Sequence, residues 1–183
     1  MARHGRTGDD GYTDSAGGRT RKDAAGPTAL GALDELNAAV GLCLAEADRG
    51  DHAAIRELLG PIQRELLAAG ADLAAEVSAR RPTERRLPAT AADRLERDID
   101  AVSAELPELK RFVLPTGPEL ACRLHLARTI ARRAERAVVA AVRPVEHRPH
   151  PLVAYLNRLG DLLFALARRA GRDSGEGDAA WIP

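Results

Sequence analysis

The chain has 183 residues, enough for one domain with a buried core, and nothing in its composition marks a second. Hydrophobic residues make up 45% but aromatics only 3%, with Ala and Leu dominant, a mixture that favours packed helices over sheets. The formal net charge is zero, which argues against whole-molecule attraction to nucleic acid or an anionic membrane, so any anion site must be local.

Residues 1–26 mix Gly, Asp, Ser, Thr and Arg without apolar periodicity and cannot build a core. One reading is a disordered tail. The other is a phosphate cradle, because Gly5, Gly8, Gly11, Gly17 and Gly18 interleave with Arg6, Thr7, Thr13, Ser15, Arg19 and Lys22. No Walker A pattern is present.

Leu30, Leu33, Leu36, Val40 and Leu44 then recur at helical spacing and predict a core helix from Thr28 to about Ala47. Asp34, Asn37 and Gly41 share a neighbouring strip. Asp51 is placed to cap a second helix reaching about Ser78, with Ile55, Leu58, Leu59, Ile62, Leu66, Leu67 and Leu73 inward. Pro61 predicts a break or kink near Gly60, since an internal proline forfeits a hydrogen bond and costs ~3 kcal/mol. Arg80 to Pro88 reads as a surface linker. Thr90 is placed to cap a third helix, with Asp93 in its first turn, a stripe of Leu95, Ile99, Val102 and Leu106, and Pro107 as its stop.

Phe112 lies in a short apolar connection ended by Pro115 and Gly117, and reads either as a plug for the end of the core or as a ligand-pocket wall. From Pro118 to Val142 no glycine or further proline interrupts a run of strong helix formers. Leu120, Leu124, Ala127, Ala131, Ala134, Val138 and Val142 form its core face. Arg128, Arg132 and Arg136 stack one turn above another on a second face, with His125 and Glu135 beside them. Like charges four apart weaken a helix by ~0.2–0.5 kcal/mol per pair, so the ladder is either a solvated face or a site for a polyphosphate, whose oxygens match guanidinium forks.

His147 and His150 follow in a proline-rich loop, a poor metal site without a third ligand and expected to face solvent. A last helix runs from Leu152 to about Arg169, with Leu152, Leu156, Leu159, Leu163 and Leu166 as its seam, Asn157 and Asp161 on one edge and Arg158 next to them. Residues after Gly171 read as a mobile tail in which Trp181 docks at most locally. The expectation is an all-α, five-helix bundle in a single domain, with residues 1–26 as a glycine-rich segment, 28–170 as the bundle and 171–183 as the tail. Cys43 and Cys122 lack metal-ligand spacing and read as small hydrophobes of a reducing compartment, implying a cytoplasmic location. No apolar run approaches the ~18 residues of a membrane span, and no signal-type segment opens the chain.

From Gly5 to about Ala170 the chain resembles the propanediol-utilisation type of ATP:cob(I)alamin adenosyltransferase. The resemblance rests on RTGDDGYT at 6–13 with Lys22 and Asp23, LGALDELNAAVG at 30–41, FVLPTG at 112–117, LHLARTIARRAER at 124–136 and YLNRLGDLLFALAR at 155–168. It implies a homotrimer with a composite site between subunits, and transfer of the 5′-deoxyadenosyl group of ATP to cob(I)alamin. Adenosylcobalamin and triphosphate are the products, and Mg²⁺ is bound through ATP. By that resemblance Gly5, Arg6, Thr7, Gly8, Thr13, Asp14, Lys22, Arg132, Arg133, Ala134, Glu135, Arg136 and Asn157 hold ATP. Asp34 and Arg128 link subunits near the site, and Phe112 lies under the corrin ring. A reductase would supply electrons and a mutase would use the product; nucleic acid and membrane are not expected partners. Gly5, Ser15, Ala16, Gly26 to Leu30, Thr116 and Gly160 depart from the family pattern. The alternative is accordingly a catalytically weak corrinoid and ATP carrier or sensor.

Overall fold

A computed structural model describes residues 6–15, 18–50, 52–78, 86–142 and 149–182. Two short strands, β1 (Tyr12–Ser15) and β2 (Gly18–Arg21), precede five helices: α1 (Ala25–Arg49), α2 (Ala53–Val77), α3 (Ala91–Ala104), α4 (Glu119–Ala141) and α5 (Pro151–Asp173). The five expected helices are therefore present, with a small antiparallel hairpin added. Its register pairs Tyr12 with Arg21 and Asp14 with Arg19.

Helix α4 is packed between α1 and α5; α2 packs against α1, and α3 against α5. The expected apolar face of α4 is buried throughout, from Leu120 to Val142, as is the leucine seam of α5. Each such side chain removed from water contributes roughly 1.5–3 kcal/mol for the larger residues. That burial, rather than helix propensity, holds the bundle. Cys43 lies wholly within it, and burial pushes its thiol up to about 12, leaving an unreactive SH. Cys122 is half-buried, its Sγ donating to the Gly117 carbonyl at 3.4 Å.

Several local expectations are corrected. Helix α2 runs unbroken through Pro61, because Ile55, Leu59, Ile62 and Leu66 on both sides of it are locked in the core. Leu67 is 65% exposed, since it lies off that stripe. Thr90 is the N-cap residue of α3 but its side chain makes no cap; its φ of −87° and ψ of 3° belong to a turn rather than the extended backbone a capping hydroxyl needs. Asp51 and His147 lie outside the described residues. His150 does not face solvent: its Nδ1 accepts from Leu152 N at 3.3 Å, capping α5, while Nε2 meets Glu76 at 3.1 Å.

The carboxy-terminal residues do not run free. Helix α5 continues past Gly171, and the chain folds back so closely that a Cβ at Gly171 would lie 2.9 Å from the Gly177 carbonyl. Leu114 N then donates to Ala179 O and Trp181 N to Phe112 O, each at 2.8 Å, and Arg168 clamps Asp178 at 2.8 Å. By length and composition α1 is apolar enough to cross a membrane. Its Asp34 and Glu35, however, sit mid-helix at a cost of several kcal/mol in lipid, and its apolar face is spent inside the bundle.

Two polar groups sit inside this core. Tyr155 is fully buried, and its hydroxyl donates to Glu65 at 2.8 Å; Glu65 also receives Arg94 of α3 at 2.7 Å, which joins α2, α3 and α5. Burial, and secondarily the Glu65 charge, push the phenol up, so it remains neutral. Replacing Tyr155→Phe removes a hydrogen bond to a carboxylate and is expected to cost about 1.5–3 kcal/mol, measured by urea unfolding. His125 of α4 is 4% exposed. Burial, then the Arg128 charge, lower its pKa, and Asp178 only partly opposes them. The unfolded chain therefore binds the proton first. Stability is fully present above the ordinary histidine value of about 6.5 and falls as pH drops below it, a slope that His125→Gln should flatten in denaturation measured from pH 7.5 to 5.

Candidate active site on helices α4 and α5

Because the core-facing residues of α4 recur every three to four positions, the residues between them form a polar face turned along α5. Arg128 is half-buried, and Arg132 and Arg136 are exposed. Arg136 Nη1 donates to the Arg132 carbonyl at 2.9 Å, which lays one side chain back along the ladder. The stem of Arg132 passes over Gly160 of α5, where a Cβ would lie 3.7 Å from its Cγ, an ordinary packing contact. Arg128 is placed 5.8 Å from the centre of the Phe164 ring, a cation–π arrangement. Its Nε is buried without a partner. Burial, then the Arg132 charge, lower the Arg128 pKa.

Across from the ladder, Asn157 Nδ2 donates to Glu135 Oε1 at 3.1 Å, and Arg158 donates to Asn157 Oδ1. Among the described residues none of Arg128, Arg132 and Arg136 has a carboxylate partner, so the face keeps a positive surplus that a polyanion would neutralise. The structure thus gathers Arg128, Arg132, Glu135, Arg136 and Asn157. It does not gather the side chains of the two intervening residues: Arg133 turns to Glu35 of α1, and Ala134 is buried in the core. Asp34 is exposed on α1 and forms no ion pair with Arg128 within the chain.

The amino-terminal residues hold a shape of their own. Arg19 bonds the Thr7 carbonyl at 2.7 Å and Asp10 at 2.6 Å, and reaches Asp14 at 3.4 Å. Lys22 N donates to Gly11 O at 2.9 Å, and its ammonium folds over Gly8 to within 3.0 Å of where a Cβ would stand. Arg6, Thr7, Gly8, Thr13, Asp14 and Lys22 therefore belong to one loop and hairpin, whose strands, among the described residues, make few contacts with any helix. Gly5 lies outside the described residues.

Phe112 is 80% exposed, which removes the core-plug reading. Its backbone is fixed by the returning chain at Trp181, itself half-exposed. Sequence reasoning missed two contributors. Phe164 shares a face with Gly160 and Asn157 at helical spacing, a signal hidden because it also fits the core stripe. Arg158 was noticed only as a neighbour, since nothing in spacing says that its guanidinium turns back on Asn157.

A family profile described as "Cobalamin adenosyltransferase" matches residues 4–170. A corrinoid adenosyltransferase from Bacillus subtilis (strain 168) is 45% identical over 183 residues, covering 99% of this chain and 92% of the relative. Corrinoid adenosyltransferase PduO from Citrobacter freundii is 42% identical over 175 residues, or 95% of this chain, which spans 51% of that longer relative. Among solved structures, a variant PduO-type ATP:corrinoid adenosyltransferase from Lactobacillus reuteri, complexed with cobalamin and ATP, superposes with a TM-score of 0.87 at 32% identity. That superposition covers 98% of this chain and 96% of the other. The likeness thus runs over nearly the whole length of the sequence, and the chain belongs to the cobalamin adenosyltransferase family.

Proposed function

We propose that this chain transfers the 5′-deoxyadenosyl group of ATP to the cobalt of cob(I)alamin, giving adenosylcobalamin and triphosphate. The observation that carries the reading is the ladder of Arg128, Arg132 and Arg136, without a carboxylate partner among the described residues and flanked by the Glu135–Asn157 bond. Cob(I)alamin is itself a strong nucleophile: its electron pair forms the Co–C5′ bond while the C5′–O5′ bond breaks and triphosphate leaves with that oxygen. No protein base is needed. The protein's share is alignment of the two substrates and stabilisation of the charge that gathers on the leaving triphosphate.

In this reading Arg132 and Arg136 grip the triphosphate, and Asn157 and Glu135 hold the nucleoside end. The loop of Arg6, Thr7 and Gly8, with Thr13, Asp14 and Lys22, closes over the phosphates through amides, a hydroxyl and an ammonium. Among the described residues no group of three metal-ligating side chains is close enough to hold an ion, so Mg²⁺ would arrive on the triphosphate oxygens. When bound it supplies further neutralisation of phosphate charge. The exposed ring of Phe112 would lie under the corrin and exclude a lower axial ligand, which eases reduction of Co(II) to Co(I) by a partner reductase.

A homotrimer with sites between subunits fits two features of the single chain. The arginine face is open, and the hairpin stands off its own bundle as if made to cover a neighbour's. Asp34 would then meet Arg128 of an adjacent copy. Free cysteines suit the cytoplasm, and an adenosylcobalamin-dependent mutase would take the product.

The test is to mix the protein with ATP, Mg²⁺ and chemically reduced cobalamin and follow the corrin spectrum. A light-sensitive alkylcobalamin should form, with Arg132→Ala lowering kcat/KM for ATP by about a hundredfold or more; no such product from the unaltered chain rejects the proposal. Phe112→Ala should leave ATP affinity unchanged and slow turnover far more from cob(II)alamin with a reductase than from preformed cob(I)alamin. Equal loss in both assays would remove the axial-ligand role.

A further inference from the structure

Arg158 lies outside every set of residues so far given a part in the reaction, yet its contacts bear on one that has. Its Nη2 donates to Asn157 Oδ1. The same guanidinium reaches Asp161 at 3.3 Å, one turn on, and Glu96 of α3 at 3.5 Å. An arginine has donors only, so the oxygen of the Asn157 amide must face Arg158 and its NH₂ must face away. That orientation agrees with the 3.1 Å bond from Nδ2 to Glu135, and it leaves the second N–H of the amide without a partner among the described residues. Without Arg158, the two ends of the amide would be distinguished by Glu135 alone.

We propose that Arg158 is a positioning residue, which fixes the orientation of the Asn157 amide so that a free N–H is presented to an acceptor atom on the nucleotide, a ring nitrogen or a ribose oxygen. The inference rests on the ATP reading of this site. Glu96 and Asp161 hold the guanidinium from two sides, so the orientation is set by α3 and α5 together rather than by the ligand. Charge-assisted donation to Oδ1 also polarises the amide and makes its N–H groups better donors.

The experiment uses the full chain and two readouts. Calorimetric titration with ATP, without cobalamin, should show Arg158→Ala binding more weakly on the order of tenfold, about 1.4 kcal/mol. Arg158→Lys should recover part of the loss, and the KM for cob(I)alamin should not move. Because Arg158 acts through Asn157, the double variant of Arg158→Ala with Asn157→Ala should bind no more weakly than Asn157→Ala alone; losses that multiply overturn the proposal. In ATP-free protein, the Asn157 side-chain amide resonances should shift and broaden in Arg158→Ala, or in Arg158→Gln if the alanine variant does not fold. Unchanged resonances overturn it too. The amide signals decide the role of Arg158 even if ATP does not bind, whereas failure of the unaltered chain to bind ATP counts against the function reading.

Discussion

Mutual repulsion along α4 is the constraint to which the rest of the bundle answers. Three guanidinium groups four residues apart oppose the helix by a few tenths of a kcal/mol per pair, ~0.2–0.5. The opposite face of α4 buries Leu120, Leu124 and Val138 together with Ala127, Ala131 and Ala134, each larger side chain contributing roughly 1.5–3 kcal/mol. Burial wins by a wide margin, so the helix holds its charges at fixed spacing without neutralising them. The packing of α4 between α1 and α5 supplies that burial on both flanks. Had α4 been an edge helix, its charged face could have relaxed by fraying or by turning toward acidic neighbours.

Much of this was legible in the sequence because α-helical packing is local in its grammar. A stripe such as Leu152, Leu156, Leu159, Leu163 and Leu166 predicts its own burial, and all five are buried. The arginine ladder was legible for the same reason, since residues four apart must stack. What escaped was whatever depends on partners distant in the chain. The pairing of Val113 with Ala180 joins segments more than sixty residues apart through one bridge, too short to leave an alternating pattern. The hairpin at Tyr12 to Arg21 was hidden likewise, because its strands are polar on both faces and stabilised by Arg19 reaching Thr7 and Asp10 rather than by apolar burial.

Within the site, legibility divided by side-chain direction. Asn157 and Glu135 were both picked out, yet their mutual hydrogen bond depends on how α4 and α5 are set against each other, which periodicity does not fix. Arg133 shows the converse. It sits inside the same basic motif, but one residue is about 100° around the helix, enough to carry its guanidinium to Glu35 on α1. Phe112 reversed its more ordinary reading: an aromatic held 80% in the open by a backbone tied at Trp181 is not a core residue that failed to pack. Its exposure is built in by hydrogen bonds from the returning chain.

The zero net charge of the chain conceals how its charges are distributed. Away from the site, several helix-borne arginines are matched by carboxylates: Arg94 with Glu65 and Asp98, Arg123 with Glu119, Arg168 with Asp178, Arg172 with Asp173. Such pairs contribute little stability when exposed, but they cancel the field they would otherwise cast. Arg128 and Arg132 have no carboxylate partner among the described residues, and Arg128 is further stripped of water against Phe164. In a chain balanced overall, the stacking of Arg128, Arg132 and Arg136 therefore concentrates positive potential on one strip of α4. An anion is drawn to that strip at short range, where cations one helical turn apart act together.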